Sequence, residues 1–191
     1  MILIVAILSY LIGSIPFGLL ITKSIGLGDI RNIGSGNIGA TNVLRSGNKK
    51  AAAATLLLDA LKGFLAVLIV RHFLHGHLVG LALIAVLLGH CFPIWLKFRG
   101  GKGVATYIGA VFGIAFPVGI IACGIWALTA KTSKISSASA IVMVVSLPFV
   151  TAILLGRGVF SPMLLSAFLI IFQHRSNLSR MIAGTEPTIG K

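Results

Sequence analysis

Five stretches of the chain, 2–22, 51–70, 78–96, 104–130 and 136–155, are apolar runs almost without charged side chains. About 20 apolar residues make a helix long enough to cross the hydrocarbon core of a bilayer. Inside that core every backbone N–H and C=O must find its partner within the protein, which leaves helices as the economical solution. A shorter apolar run, 159–172, follows. The chain therefore reads as an all-α, polytopic integral membrane protein forming one domain, 1–191. Composition agrees, with 57% hydrophobic and only 10% charged residues, against about 25% charged in a typical soluble domain. The first run has no basic segment before it and no A-x-A cleavage site, so a retained helix is expected rather than a signal peptide.

The net charge is +13, with 16 Lys and Arg against three acids, Asp29, Asp59 and Glu186. In a soluble chain that balance would suggest nucleic acid. Here the cations are not interleaved with aromatics in a polar domain, and positive-inside bias with anionic lipid accounts for them, so no nucleic-acid partner is expected. Segments 23–50 and 97–103 and the tail 173–191 together hold eleven Lys and Arg, while 71–77 and 131–135 hold Arg71, Lys131 and Lys134. That asymmetry puts the first group in the cytoplasm, with the N-terminus outside and the C-terminus cytoplasmic. Those ends require an odd number of passes. Either 159–172 does not fully cross, giving five, or 104–130 breaks near Phe116-Pro117 into two short passes, giving seven. Cys91 and Cys123 both lie in apolar stretches and suggest neither a disulfide framework nor a zinc site. His72, His75 and His77 sit away from the polar motifs and read as a headgroup-level loop rather than a metal site.

The loops assigned to the cytoplasm are not ordinary linkers. GSGNIGATN, 34–42, fits the dinucleotide pattern G-x-G-x-x-G, and Asp59 follows at a suitable distance. Both tests of context fail, because no strand precedes the glycines and Asp59 lies inside an apolar run. Gly100-Gly101-Lys102-Gly103 is not a Walker A loop either, since position 96 is Leu and Gly103 stands where Ser or Thr is required. What the segments 34–50, 89–106 and 174–186 share is small residues, hydroxyls, amides and at least one cation each. Those are the parts of an anion site: close backbone approach, short donors and a neutralising charge.

GSGNxGATN, GHxFPxxxxFxGGKGVAT and HRxNLxRxxxGTE, in that order among apolar runs, together with SYLIGSIPFG at 9–18 and Asp59-x-x-Lys62-Gly63, resemble the bacterial acyl-phosphate:glycerol-3-phosphate acyltransferase family over essentially the whole chain. The resemblance implies seven helices with the N-terminus outside and the three motifs facing the cytoplasm of a bacterial inner membrane. It implies transfer of a fatty acyl group from acyl phosphate to the 1-hydroxyl of glycerol 3-phosphate, giving lysophosphatidic acid and phosphate as the first acylation of phospholipid synthesis. A soluble producer of acyl phosphate is then the implied partner, beside membrane lipid. No cofactor is expected.

The residues are compatible with that chemistry. None of the five histidines begins an H-x4-D pair, no G-x-S-x-G elbow occurs, and three scattered acids offer no acid/base pair and no metal site. An acyl phosphate is an activated donor, so no enzyme nucleophile is required, and a substrate phosphate with its second pKa near ~6 can take the hydroxyl proton. Direct transfer without an acyl-enzyme is the expectation. The main competing reading is a transporter or channel for a phosphate-bearing anion, but its polar residues would gather at the bilayer midplane rather than at one face.

Residue by residue, Ser35, between Gly34 and Gly36, is expected to contact ligand, as a donor to the leaving phosphate or as a nucleophile, rather than serve as a turn serine alone. Asn37, Thr41 and Asn42 either orient the glycerol moiety or cap the next helix, and Arg45 is the phosphate clamp. Gly100, Gly101 and Gly103 form an N–H cradle around the point charge of Lys102, with Thr106 closing the motif. His174, Arg175 and Asn177 contact substrate. Glu186 belongs with this set and is expected mainly to hold a motif cation. Ser35, Arg45, Lys102 and His174 are the catalytic candidates. His90 reads as packed rather than basic, Lys49 and Lys50 as membrane-surface cations, and Asp59 with Lys62 as an intramembrane pair supporting the loops.

Overall fold

A computed structural model describes residues 1–74 and 76–189, and every α or 3-10 element among them is helical. His75 and Lys191, which enter the loop readings above, lie outside the described residues. The first apolar run forms α1 (Ile2–Gly13) and α2 (Phe17–Ser24), separated at Ser14-Ile15-Pro16, where Pro16 has no N–H to continue the ladder. The first motif contains the short helix α3 (Ala40–Arg45). The long α4 (Lys49–Phe73) starts at Asn48, whose side chain accepts from the Ala51 amide at 2.9 Å as an N-cap. Then come α5 (Val79–Cys91), α6 (Val104–Ile114), α7 (Phe116–Ser133), α8 (Ser136–Leu155), α9 (Phe160–Gln173) and α10 (Arg175–Ile182).

The run 104–130 is broken, as Pro117 allowed. Ala115 is extended (φ −156°, ψ 121°), and Pro117 falls in the first turn of α7, where its missing N–H costs nothing. By itself α6, with 11 residues, reaches only about 16 Å. Its packing makes up for its length. Seven of its residues are buried, and it lies mainly along α4. The two backbones approach so closely that a Cβ on Gly63 would collide with the Thr106 carbonyl and one on Gly109 with the Ala60 carbonyl. Arg71, at the end of α4, donates to the Gly113 and Ile114 carbonyls at 3.3 and 2.6 Å, filling part of the C-terminal deficit of the broken helix.

Helix α5 packs on α1, and α8 lies between α7 and α9. Their shared interior is fully enclosed at Val67, Val86, Leu87, Tyr107, Val111, Met143, Leu147, Met163 and Ile170. The outer faces carry exposed Leu57, Leu128, Ile153 and Phe168, the inverse of a soluble surface and suited to hydrocarbon. Among the described residues five helical segments are long and apolar enough to cross a membrane, and α9 with α10, bent by 62° at His174, forms a sixth candidate.

One expectation is overturned. The charge asymmetry sets Lys131 and Lys134 on the face opposite the motifs. The Ile189 amide donates to the Lys134 carbonyl at 2.7 Å, and Ser137 at the start of α8 donates to Glu186 at 2.7 Å. The 131–137 connection therefore lies with the tail motif. Lys102 and Lys134, which flank the α6–α7 segment, therefore both contact the tail, and the break at Ala115 lies between them.

Candidate active site

The first motif is organised by Asn42, whose side chain is buried. Its Nδ2 is shared among the carbonyls of Ile30, Ile33 and Asn37 at 3.0, 2.9 and 2.8 Å, and its Oδ1 accepts from the Ser35 amide at 2.9 Å. Asn37 Oδ1 accepts from the Gly39 amide at 2.8 Å, a turn that opens α3. Gly34 and Gly36 have φ of +57° and +68°, left-handed values that glycine adopts without strain. The chain folds back twice around the Asn42 amide, which leaves Ser35 exposed at the tip and Arg45 in the last turn of α3.

The second motif is fastened to the first span. Tyr10 donates to the Phe92 carbonyl at 2.7 Å, and Trp95 Nε1 to the Ser14 carbonyl at 2.5 Å, which explains why SYLIGSIPFG accompanies it. The Gly100 and Gly101 amides donate inward, to the Cys91 and His90 carbonyls, at 3.0 Å each. The expected cradle of glycine amides therefore does not form at these two positions. Their N–H groups close the turn, and Lys102 emerges from it just before α6.

The third motif begins where α9 stops. His174 is buried, and its Nδ1 donates to the Ile170 carbonyl at 2.7 Å. Burial pushes its pKa down to about 4, so near neutrality the ring is uncharged with its lone pair on Nε2. Arg175 stacks on Phe172, 4.8 Å from the ring centre. Asn177 accepts from Lys102 Nζ at 2.6 Å and donates to Glu186 at 2.5 Å. A lysine can only donate, which fixes the orientation of the amide. Glu186 also accepts from Ser137 and from Arg180, each at 2.7 Å. Burial alone would raise its pKa, but the hydrogen bonds from Asn177, Ser137 and Arg180 outweigh it and hold the carboxyl below its ordinary range.

The three motifs meet at one cleft of about 660 Å³. Gly34, Ser35, Gly36, Asn37 and Arg45 line it from the first, Gly100, Gly101 and Lys102 from the second, and Arg175 from the third. Gln173, Ser176, Arg180 and Pro187 complete the wall. Sequence reasoning had not picked these four. Ser176 and Arg180 are four apart on α10 and so share a helix face, a usable signal. Thr41, Asn42, Gly103, Thr106, His174, Asn177 and Glu186 lie behind or beside the lining. Asn42, His174 and Asn177 are occupied with protein partners, and Thr106 lies 3.1 Å from His90 Nδ1.

Arg45, Lys102, Arg175 and Arg180 put four cations on the cleft, and among the described residues no carboxylate lines it. Such a field favours an anionic ligand. Burial pushes Lys102 down to about 8, Glu186 opposes the shift, and the Arg180 and Arg45 charges add to it.

The family model described as glycerol-3-phosphate acyltransferase matches residues 3–184. The chain is 52% identical to the glycerol-3-phosphate acyltransferase of Gluconobacter oxydans, over 98% of this chain and 92% of that one. It is 49% identical to that of Rhizobium etli, over 97% and 90%. Its backbone superposes on crystal structures of PlsY (YgiH), an integral membrane glycerol 3-phosphate acyltransferase. The glycerol 3-phosphate form gives a TM-score of 0.93 at 36% identity, covering 99% of this chain and 96% of that one. The lysophosphatidic acid form gives 0.91 at 34%, covering 99% and 95%. The chain belongs to the glycerol-3-phosphate acyltransferase family.

Proposed function

We propose that the cleft transfers a fatty acyl group from acyl phosphate to the 1-hydroxyl of glycerol 3-phosphate. The hydroxyl oxygen attacks the acyl carbonyl carbon, the carbon–oxygen bond to the donor phosphate breaks, and the products are lysophosphatidic acid and inorganic phosphate. The departing phosphate carries away the hydroxyl proton, so neither an enzyme base nor an acyl-enzyme is required. The observation that carries this reading is the quartet Arg45, Lys102, Arg175 and Arg180 around a cleft whose lining has no carboxylate among the described residues. Two phosphate groups repel each other, and four cations offset that repulsion while the glycine-rich walls hold the reactants close. Ser35, at the tip of the first loop, donates to a phosphate oxygen. His174 and Asn177 act from behind the lining, the ring by packing and the amide by holding Lys102.

The same reading sets the topology. The pair α1 and α2 makes one pass, and α4, α5, α6, α7, α8 and α9 one each, which gives seven, with the N-terminus outside and the cleft on the cytoplasmic face of a bacterial inner membrane. Support comes from the contacts of Lys102 with Asn177 and of Lys134 with Ile189, which bring both ends of the Val104–Ser133 hairpin to the motif face. The cleft then meets a lipid donor from the leaflet and a polar acceptor from the cytosol.

The test is an assay of the purified protein with glycerol 3-phosphate and either acyl phosphate or acyl-CoA. The reading expects lysophosphatidic acid from acyl phosphate. Equal rates from acyl-CoA would refute the donor, and no product from either donor would refute the activity.

A further inference from the structure

Beneath the Gly100–Lys102 turn lies a buried polar cluster that the transfer chemistry does not use. Lys62 Nζ stands 2.7 Å from Asp59 Oδ1 and donates to the Ile15 carbonyl at 2.8 Å, tying α4 to the break between α1 and α2. The same Asp59 oxygen is 3.7 Å from His90 Nδ1, and that ring nitrogen is 3.1 Å from Thr106 Oγ1. All four side chains are buried. Asp59 of α4 and Thr106 of α6 both approach the same ring nitrogen, so two helices hold one edge of the His90 ring. Swinging it away would take the ring nitrogen from the buried Thr106 hydroxyl and from beside the Asp59 carboxylate, which is costly.

The other edge of the ring faces Gly101. A Cβ added to Gly101 would collide with His90 Nε2, and the three atoms nearest that position all belong to the His90 ring. The backbones of the two residues are joined as well, with the Gly101 amide donating to the His90 carbonyl at 3.0 Å. Gly101 is not among the residues with positive φ, so its missing side chain serves this close approach and not an unusual backbone twist. Gln173 closes the turn from above, donating to the Gly101 carbonyl at 3.2 Å.

We propose that His90 is a positioning residue. Its ring, braced by Asp59, Lys62 and Thr106, is the floor on which Gly101 rests, and it thereby sets where the Lys102 ammonium stands in the cleft. The glycine and the histidine act as a matched pair, each needed because of the other's size. This inference rests on the acyl-transfer reading only for its kinetic readout.

The experiment is a rescue with Gly101→Ala, His90→Ala and the double variant, each purified in detergent and assayed for both KM values, kcat and thermal midpoint. Gly101→Ala is expected to raise at least one KM by about tenfold or more, because the turn and Lys102 are displaced. In the double variant the added methyl occupies space vacated by the ring, and both KM values return to within about threefold of His90→Ala alone. If Gly101→Ala does not accumulate as folded protein, recovery of folded yield in the double variant is the same result. Gly101→Ala with wild-type kinetics and midpoint, or a double variant as impaired as its singles combined, would overturn the proposal. A wild-type protein that makes no lysophosphatidic acid would sink the acyl-transfer reading instead, and rescue of the thermal midpoint would still decide this one.

Discussion

Lys102 Nζ donates to Asn177 Oδ1 across 2.6 Å, and the same Asn177 donates to Glu186. One amide thus couples the second motif to the third and points the ammonium toward the cleft. Lys102→Met keeps the stem and removes the charge. It should lower kcat/KM by about 100-fold or more, on the scale of losing one preorganised donor to a transition-state anion. Asn177→Ala should cost about tenfold, and the two losses should not multiply in the double variant because they act on one group. Initial rates of lysophosphatidic acid formation decide this, and fully multiplicative losses would argue against the coupling.

Burial holds Lys102 at about 8, and in the proposed transfer its charged form is the one that binds phosphate. Activity should therefore be complete below that value and fall as pH rises through it. Glu186 is the neighbour that raises the Lys102 pKa, so Glu186→Gln should move the alkaline limb to lower pH. A kcat/KM profile of both proteins from about pH 6 to about pH 10 would show the shift.

Asn42 holds the first loop by bonds to Ile30, Ile33, Asn37 and Ser35. Asn42→Ala leaves those groups without their partner and releases Ser35 and Arg45 from the cleft wall. The KM for glycerol 3-phosphate or for the donor should rise by about tenfold or more while the helices remain folded. Separate KM measurements alongside circular dichroism would test this.

The α4–α6 contact should be intolerant of a single methyl. Gly109→Ala would drive a Cβ into the Ala60 carbonyl, whereas a Cβ on Gly124 meets nothing within 4 Å. The first change should destabilise by about 1–3 kcal/mol through overpacking. Gly124→Ala should be neutral or slightly stabilising, since alanine is the better helix former by about 1 kcal/mol. Thermal midpoints in detergent separate the two.

Much of this was legible in the sequence because a membrane chain leaves polar residues few places to hide. Three polar motifs among apolar runs pointed to one shared cleft, and Pro117 permitted a break near Phe116 without deciding between five and seven passes. The division of labour inside each motif was not legible. Asn37 and Asn42 carry the same side chain, yet one lines the cleft and the other ties the loop together. Only the fold, which brings the Ile30 and Ile33 carbonyls within reach of Asn42, decides between them. The inward direction of the Gly100 and Gly101 amides was equally hidden, because it depends on the Cys91 and His90 carbonyls lying beneath them. The place of Lys131 and Lys134 followed from the break and could not precede it. Arg180 stands in the third motif as a fixed position, yet its place on the cleft wall becomes visible only when α10 carries it there beside Ser176.

The central claim is that donor and acceptor occupy the cation-lined cleft together and react without an acyl-enzyme. The direct measurement is the initial rate of lysophosphatidic acid formation over a grid of acyl phosphate and glycerol 3-phosphate concentrations. Double-reciprocal lines that converge are the predicted result, because both substrates must be bound before phosphate leaves. Parallel lines, the signature of a ping-pong acyl-enzyme, would contradict it.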